Sequence, residues 1–225
     1  VLDQPETDGE FALSFDGSDD HVQLGDILPT GAKTISAWVR IPPDSERDAP
    51  DDDYFIFSRT DGSGHNLFYL NNGQELRFLN ANQDIYFDVE LDNNRWHHVA
   101  YSFDGTNQSL YLNGELLLSN AGTNTLSSGT DSIGAFAGDS SQRSWHGEID
   151  DVRIWNKALT QEEIRERMGK PLDSSDSLWS HLVADYRMDW GKESTAYDYS
   201  QNSNHGTLTN GPTWVEAYSW ERGMV

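Results

Sequence analysis

The stretch Thr34-Ile-Ser-Ala-Trp-Val-Arg-Ile41 decides the fold class, because an aliphatic side chain stands at every second position. Successive side chains of a β-strand point to opposite faces of a sheet, so a period of two gathers alternate residues on one face. The stretch therefore predicts a strand that buries one face in a core, and the residues of that face are Ile35, Ala37, Val39 and Ile41.

Tight turns separate further alternating segments on the C-terminal side of this strand. Asn-Gly or Asp-Gly pairs, which tolerate the positive φ angles of hairpin turns, occur within 71–73, 104–105 and 113–114. Short strands with turn signals about every 8–12 residues indicate a sandwich or a barrel, not alternating βα units. One short helix is predicted near 161–168, since Thr160 and Glu163 form a capping-box pattern.

The composition makes the chain strongly acidic. Fifteen Lys and Arg stand against 38 Asp and Glu, which gives a formal net charge of −23. A negative field of this size repels phosphate, so we expect no nucleic acid partner and no attraction to anionic lipid. Carboxylates are the oxygen ligands that Ca²⁺ prefers, and Ca²⁺ is the expected cofactor. An acidic surface that only keeps a protein soluble in salt explains the same composition.

Several features are also missing from the sequence. There is no cysteine, which excludes disulfides, thiolate metal sites and a cysteine nucleophile. No run approaches the roughly 20 apolar residues that span a bilayer, so membrane insertion is not expected. Val1 begins no signal-peptide pattern, and we therefore expect a mature or excised module of the kind cut from a larger protein.

One domain is expected over residues 1–225, with residues 1–10 as a polar lead-in. The stretch Leu182-Val-Ala-Asp-Tyr-Arg-Met188 alternates like a strand. About 45 residues without a staple would make a marginal independent domain. The C-terminal segment 182–215 is therefore expected to pack back on the sandwich.

Four phrases together resemble the laminin G-like jelly-roll domains of the concanavalin A-like lectin/glucanase superfamily, which includes the pentraxins. The resemblance implies an all-β fold in which two antiparallel sheets pack face to face. It also implies a secreted or cell-surface module that binds a glycan or a surface protein, or that only spaces other modules. The phrases are Ala12-Leu-Ser-Phe-Asp-Gly-Ser-Asp-Asp-His-Val22, Ile35-Ser-Ala-Trp-Val39, Trp96-His-His-Val-Ala-Tyr-Ser-Phe-Asp-Gly105 with Leu110-Tyr-Leu-Asn-Gly114, and Gly147-Glu-Ile-Asp-Asp-Val-Arg-Ile-Trp155.

The last of these phrases bears on catalysis. Retaining glucanases of the superfamily carry two glutamates on one strand, spaced Glu-x-Asp-x-Glu or Glu-x-Asp-x-x-Glu, as nucleophile and acid/base. The stretch here supplies Glu148 and Asp150, but the second glutamate falls on Val152 or Arg153. Neither side chain delivers a proton to a leaving group at neutral pH, so we expect no enzyme.

The resemblance implies a structural Ca²⁺ between the late strand and the early loop, held by Asp150 on the strand and by Asp16, Gly17 and Asp19 in the loop. Ca²⁺ takes about six to eight oxygens, and a glycine-containing turn can present backbone carbonyls at close approach. The alternative is that Asp16 and Asp19 only form Asx turns.

A second candidate metal site lies near the C-terminus. Oxygen-bearing side chains stand there at alternate positions, as in a Ca²⁺ loop, although the site lacks the bidentate glutamate of an EF-hand. A polar turn held by its own side-chain hydrogen bonds explains the pattern equally well. The residues are Asp198, Ser200, Asn202 and Asn204.

Aromatic residues are the expected contacts for a glycan. Flat rings stack on the apolar face of a sugar, while nearby amides and acids hydrogen-bond to its hydroxyl groups. Packing in the core is the alternative for each ring. The candidates are Tyr54, Tyr69, Tyr86, Trp145 and Trp190.

These features predict a non-catalytic extracellular recognition module that binds carbohydrate or a partner protein, with calcium as a structural or bridging ion. A structural spacer or adhesion domain of a larger surface protein is the alternative. A glucanase-like glycoside hydrolase comes third.

Overall fold

A computed structural model describes residues 11–43, 53–60, 65–71, 75–80, 83–89, 91, 94–123, 127–136 and 144–217. The predicted lead-in at 1–10 lies outside these residues. The described part forms strands, one α-helix (α1, Gln161–Arg167) and a 3₁₀ turn (Trp179–His181). The strands are β1 (Phe11–Asp16), β2 (His21–Gln23), β3 (Lys33–Arg40), β4 (Asp53–Thr60), β5 (His65–Asn71), β6 (Glu75–Asn80), β7 (Gln83–Asp88), β8 (His97–Phe103), β9 (Asn107–Leu112), β10 (Glu115–Ala121), β11 (Thr130–Ile133), β12 (His146–Trp155), β13 (Leu182–Tyr186), β14 (Thr195–Ala196), β15 (Gly206–Thr209) and β16 (Thr213–Glu216).

The strands form two antiparallel sheets. The first sheet has the order β10-β9-β8-β3-β12-β1-β16, and β13 also pairs with β12. The second sheet has the order β14-β15-β2-β11-β4-β5-β6-β7. The predicted all-β jelly-roll sandwich with one short helix is confirmed.

The core lies between the two sheets, where each sheet turns one face inward. On β3 the alternating residues Ile35, Ala37 and Val39 are fully buried. The rings of Phe78 on β6 and Tyr101 on β8 stack with centroids 3.4 Å apart, which joins the second sheet to the first. The alternation that is visible in the sequence is therefore the alternation between core and outer face.

The outer face of the first sheet is covered by the segment that contains α1. The helix begins with the predicted capping box, because Thr160 accepts from the Glu163 N–H at 3.2 Å and Glu163 accepts from the Thr160 N–H at 2.9 Å. Buried Arg153 on β12 donates to the carbonyls of Arg167 at 2.6 Å and Lys170 at 2.9 Å. This guanidinium therefore fixes the end of α1 to the sheet.

The C-terminal residues add strands to both sheets. β13 pairs with β12 and β16 pairs with β1 in the first sheet, while β15 pairs with β2 in the second. No helix among the described residues is long and apolar enough to cross a bilayer.

A buried lysine lies at the start of β3. Lys33 is 0% exposed, its ammonium nitrogen lies 5.7 Å from the centroid of the Phe103 ring, and no described residue accepts a hydrogen bond from it. Burial lowers the pKa of Lys33 to about 7; the charge of Arg59 lowers it further, and Asp131 acts in the opposite direction. The folded protein therefore favours the neutral amine.

We predict that Lys33→Met stabilises the protein at pH 6 and that this gain shrinks as the pH rises from 7 towards 10.5. Over this range the unfolded wild type binds the proton that the folded protein has released, so wild-type stability rises with pH, by at most about 1.4 kcal/mol per unit. Below pH 7 both states are protonated and the cost of burying the charge is fully present. Denaturant unfolding at several pH values measures this, with Lys170→Met as the exposed control. Parallel pH profiles for wild type and Lys33→Met would contradict it.

Candidate functional site

Four neighbouring strands of the second sheet present a row of aromatic and cationic side chains on their outer face. The row consists of Phe55 on β4, Tyr69 on β5, Arg77 on β6 and Tyr86 on β7, which stand opposite one another in the ladders. The residues beside them in sequence, such as Phe68, point into the core. We call these four residues the aromatic row.

Ring contacts hold the aromatic row together. Phe55 and Tyr69 stack at a centroid distance of 5.1 Å, and Phe136 lies 5.8 Å from Phe55. The guanidinium carbon of Arg77 lies 5.9 Å from the Tyr69 ring centroid and 5.0 Å from that of Tyr86. Tyr69 is 6% exposed, whereas Tyr86 is 51% exposed. Tyr86 is therefore the ring that a ligand can reach, and Arg77 supports it.

A second row of polar side chains lies two positions along the same strands. It consists of Asp53, Asn71, Glu75 and Asp88, again opposite one another in the ladders, and we call it the acidic row. The Asn71 amide donates to Asp53 at 2.7 Å. Amide and carboxylate groups thus stand directly beside the rings.

Burial and nearby charges set the protonation of buried Tyr69 and half-buried Arg77. Burial raises the pKa of Tyr69 to about 12; the Arg77 charge opposes this shift, and nearby carboxylates reinforce it. The pKa of Arg77 is raised, because Tyr69 and the carboxylates of Asp84 and Glu75 outweigh the effect of burial. Arg77 donates to Asp84 and lies 3.5 Å from Glu75. At neutral pH the face therefore presents a phenol and a guanidinium that carboxylates neutralise.

The structure separates the five aromatic candidates. Tyr69 and Tyr86 stand together in the aromatic row. Tyr54 and Trp145 are buried at 4% and 0% exposure and meet edge to face at 6.3 Å, so these two are core residues and not ligand contacts. Trp190 lies apart, in contact with Tyr197 at 5.7 Å and with the Lys192 ammonium at 4.2 Å.

The loop between β1 and β2 gathers three aspartates. Ligand oxygens of Asp16, Asp19 and Asp20 all lie within 4.8 Å of one another. Burial raises the pKa of Asp20, the Asp16 N–H that it accepts at 3.0 Å opposes this, and the charges of Asp16 and Asp19 reinforce it. Gly17, at φ 82°, forms the turn, and Asp16 also accepts from the Ser18 N–H at 2.8 Å as an Asx turn does. The carboxylates suit a hard cation such as Ca²⁺.

Asp150 does not join these aspartates. In the β1–β12 ladder Asp16 stands opposite His146, and Asp150 lies four residues further along β12, about 13 Å away. Asp150 is fully buried and accepts from the Asp151 N–H at 2.6 Å. The loop is completed instead by Asp20, a member of the quoted motif that the sequence analysis did not select as a ligand.

At the second candidate metal site, protein groups donate hydrogen bonds to the carboxylate that would bind the metal. The Asp198 carboxylate accepts from the N–H groups of Asp185 at 2.9 Å, Ser200 at 2.8 Å and Asn204 at 2.8 Å, and from the Ser200 hydroxyl at 2.8 Å. A carboxylate offers about four acceptor positions, so protein donors fill all of them. The amide of Asn202 donates to the Leu182 carbonyl at 2.9 Å. This geometry favours the hydrogen-bonded turn over a metal loop.

The Glu148 carboxylate on β12 is held in an ion pair. Glu148 accepts from Arg40 on β3 at 2.9 and 3.0 Å. Of the two positions where a glucanase has its second glutamate, Val152 is fully buried in the core and Arg153 pairs with Asp185 at 2.8 Å. This strand therefore offers no second carboxylate at the spacing that retaining glucanases use.

Sequence reasoning missed Phe55, Arg77 and Glu75 as parts of the face. The alternation in Glu75–Asn80 and Gln83–Asp88 indicates that Arg77 and Tyr86 each stand outward if Phe78 and Ile85 are core. The ladder that places Arg77 between two tyrosines is a long-range pairing, and no local pattern specifies it.

Two antiparallel sheets pack face to face, and β12 lies inside the first sheet between β3 and β1. This arrangement is a sandwich of the lectin type. The chain belongs to the concanavalin A-like lectin/glucanase superfamily, since a family model of the laminin G type matches residues 16–165. The resemblance inferred from the sequence motifs is therefore confirmed. Comparison with curated proteins gives no match.

Three solved structures share this fold. A candidate carbohydrate-binding protein from Bacteroides ovatus has a TM-score of 0.70 and 21% identity over 95% of this chain, which spans 61% of that protein. An SAP-like pentraxin from Limulus polyphemus has a TM-score of 0.64 and 18% identity over 93% of this chain and 96% of its own. The CBM40 of a Ruminococcus gnavus IT-sialidase, bound to α2,3-sialyllactose, has a TM-score of 0.53 and 12% identity over 69% of this chain and 95% of its own. Likeness at these identities establishes the fold alone.

We predict that Asp198→Asn lowers the free energy of unfolding by about 1–3 kcal/mol, because an amide has one acceptor oxygen and leaves buried donors unpaired. Denaturant unfolding measures the loss. The control is Asp173→Asn, an exposed carboxylate that also accepts from a serine two residues on. Unchanged stability in Asp198→Asn, together with the loss of a bound Ca²⁺, would instead place a metal at this turn.

Proposed function

We propose that this chain is a non-catalytic, extracellular recognition module that binds a glycan at the aromatic row. The observation that carries the proposal is the half-exposed Tyr86 ring held on the Arg77 guanidinium. A ring fixed in this way can stack on the apolar face of a sugar with little loss of side-chain freedom.

The polar groups beside the rings supply the second requirement of glycan binding. The carboxylate of Asp84 and the acidic row offer acceptors for sugar hydroxyls, while the Asn71 amide offers donors as well. The superfamily includes lectins, and two of the structural relatives are named for carbohydrate binding. These comparisons agree with the proposal and do not identify the sugar.

The proposal includes no catalysis. Glu148 is held by Arg40, and buried Val152 and Arg153 occupy the positions of a second catalytic carboxylate. A module of this kind serves a secreted or surface protein by bringing it to a polysaccharide or to a glycosylated partner.

The proposal also includes a structural Ca²⁺ at the loop of Asp16, Asp19 and Asp20. Three carboxylates within 4.8 Å repel one another; burial raises the pKa of Asp20, and the charges of Asp16 and Asp19 reinforce this shift. A divalent cation would remove the repulsion and order the turn between the two sheets.

We expect Tyr86→Ala to weaken glycan binding by about 1–3 kcal/mol, because the mutation removes the exposed stacking surface of the aromatic row. The ligand is taken from the strongest hit of a glycan array, and isothermal calorimetry measures its affinity. The matched control is Phe87→Ala, the next residue on β7, which is 39% exposed and stands on the opposite face of the sheet. Equal losses for both variants would refute binding at the aromatic row, and an array without hits would favour a spacer.

Ca²⁺ is expected to raise the melting temperature of the wild type, and a chelator should reverse this effect. A ligand specific for the folded state stabilises it by about 2.7 kcal/mol at 100 times its Kd. Asp19→Asn should lower the Ca²⁺ affinity in calorimetry, whereas Asp150→Asn should leave it unchanged, since Asp150 lies elsewhere on β12. No heat and no thermal shift in the wild type would contradict this site.

A further inference from the structure

Negative charge surrounds the only described ring of the aromatic row that a ligand can reach. Tyr86 stands on β7 between Asp84 and Asp88, each two residues away on the same face and both exposed. The separation along the strand is about 7 Å on either side. Glu75 stands opposite Asp88 on β6. A sugar stacked on Tyr86 therefore lies within about one Debye length of several carboxylates at physiological salt.

The one described cation of this face is already neutralised. Arg77 donates to Asp84, lies 3.5 Å from Glu75, and is held between the rings of Tyr69 and Tyr86. A ligand carboxylate that approached this guanidinium would have to displace one of the chain's own carboxylates. The described face therefore presents four carboxylates against one paired guanidinium, the carboxylates being Asp53, Glu75, Asp84 and Asp88.

We propose that the aromatic row selects glycans without acidic groups and rejects sialylated, uronic acid-containing and sulfated sugars. This inference rests on the proposed function and specifies its ligand class. Stacking and hydroxyl hydrogen bonds are available to neutral and acidic sugars alike, and they do not discriminate. The discrimination comes from repulsion by the carboxylates beside Tyr86, which is local and falls with salt.

The test compares each neutral oligosaccharide that the protein binds with its sialylated, uronic acid or sulfated counterpart. Calorimetry at low salt should give an affinity about sevenfold higher for the neutral member, the effect of two protein carboxylates that each lie about 7 Å from one ligand charge in water. At about 1 M NaCl, where the Debye length is about 3 Å, the two affinities should converge. An acidic counterpart that binds as tightly as the neutral sugar at low salt would overturn the inference and leave the proposed function intact.

Charge variants separate the local field from the net charge of −23. Glu75→Gln with Asp88→Asn should narrow the difference in affinity between neutral and acidic sugars, and the readout is the ratio of the two affinities within the same variant. Glu162→Gln with Glu166→Gln removes the same charge on α1, which covers the other sheet, and should leave this ratio unchanged. If both double variants reduce the affinity difference equally, the repulsion does not come from the carboxylates beside Tyr86, and its local origin is wrong. If no glycan binds at any salt concentration, the proposed function fails and this inference fails with it.

Discussion

Burial of one face of each sheet is the constraint on which the whole structure depends. A strand alternates between its two faces, so burial of Phe68, Phe78 and Ile85 commits the residues beside them to the outer face. A slip of one residue would bring the charged Arg77 side chain into the core and expose the Phe78 ring, and both changes are strongly unfavourable. The hydrophobic core therefore fixes which residues form the aromatic row. The order of the strands, β4 to β7, then places them side by side.

The same acidity that the sequence displays is distributed unevenly in the fold. Two buried arginines serve as internal connectors: Arg59 pairs with Asp131 at 2.6 Å, and Arg153 pairs with Asp185 at 2.8 Å. Asp131 also accepts from two backbone N–H groups of the loop after β2, so this pair orders the loop as well. Buried pairs of this kind add little net stability compared with well-packed apolar residues, but removal of one partner is strongly destabilising because it leaves an unpaired buried charge. Each of these arginines is paired with a buried aspartate, so neither pair adds net charge to the core, and the excess of negative charge lies elsewhere in the chain.

Local patterns predicted the parts of the molecule that local interactions determine. The alternation around β3, the hairpin turns and the capping box of α1 each involve residues close in sequence. The prediction for Tyr54, one of the aromatic candidates, was wrong because a long-range interaction, the pairing of β4 with β5, decides which face of the strand is buried. On β4 the register against β5 shifts between Phe55 and Phe57, so the strand does not keep one simple alternation and Tyr54 enters the core. The pairing of Arg77 with two tyrosines and the distance from Asp16 to Asp150 likewise depend on strand register, which the sequence does not encode locally.

The proposed glycan site lies on the outer face of β5 to β7. An NMR titration of the isotope-labelled chain with a bound glycan tests this location, because shift changes report where the ligand lies. The largest changes are expected on the Arg77 side chain and on Tyr86 and its neighbours along β7. Changes confined to the region of Trp190 and Tyr197, or to the turn of Asp16 to Asp20, with β6 and β7 unaffected, would contradict it.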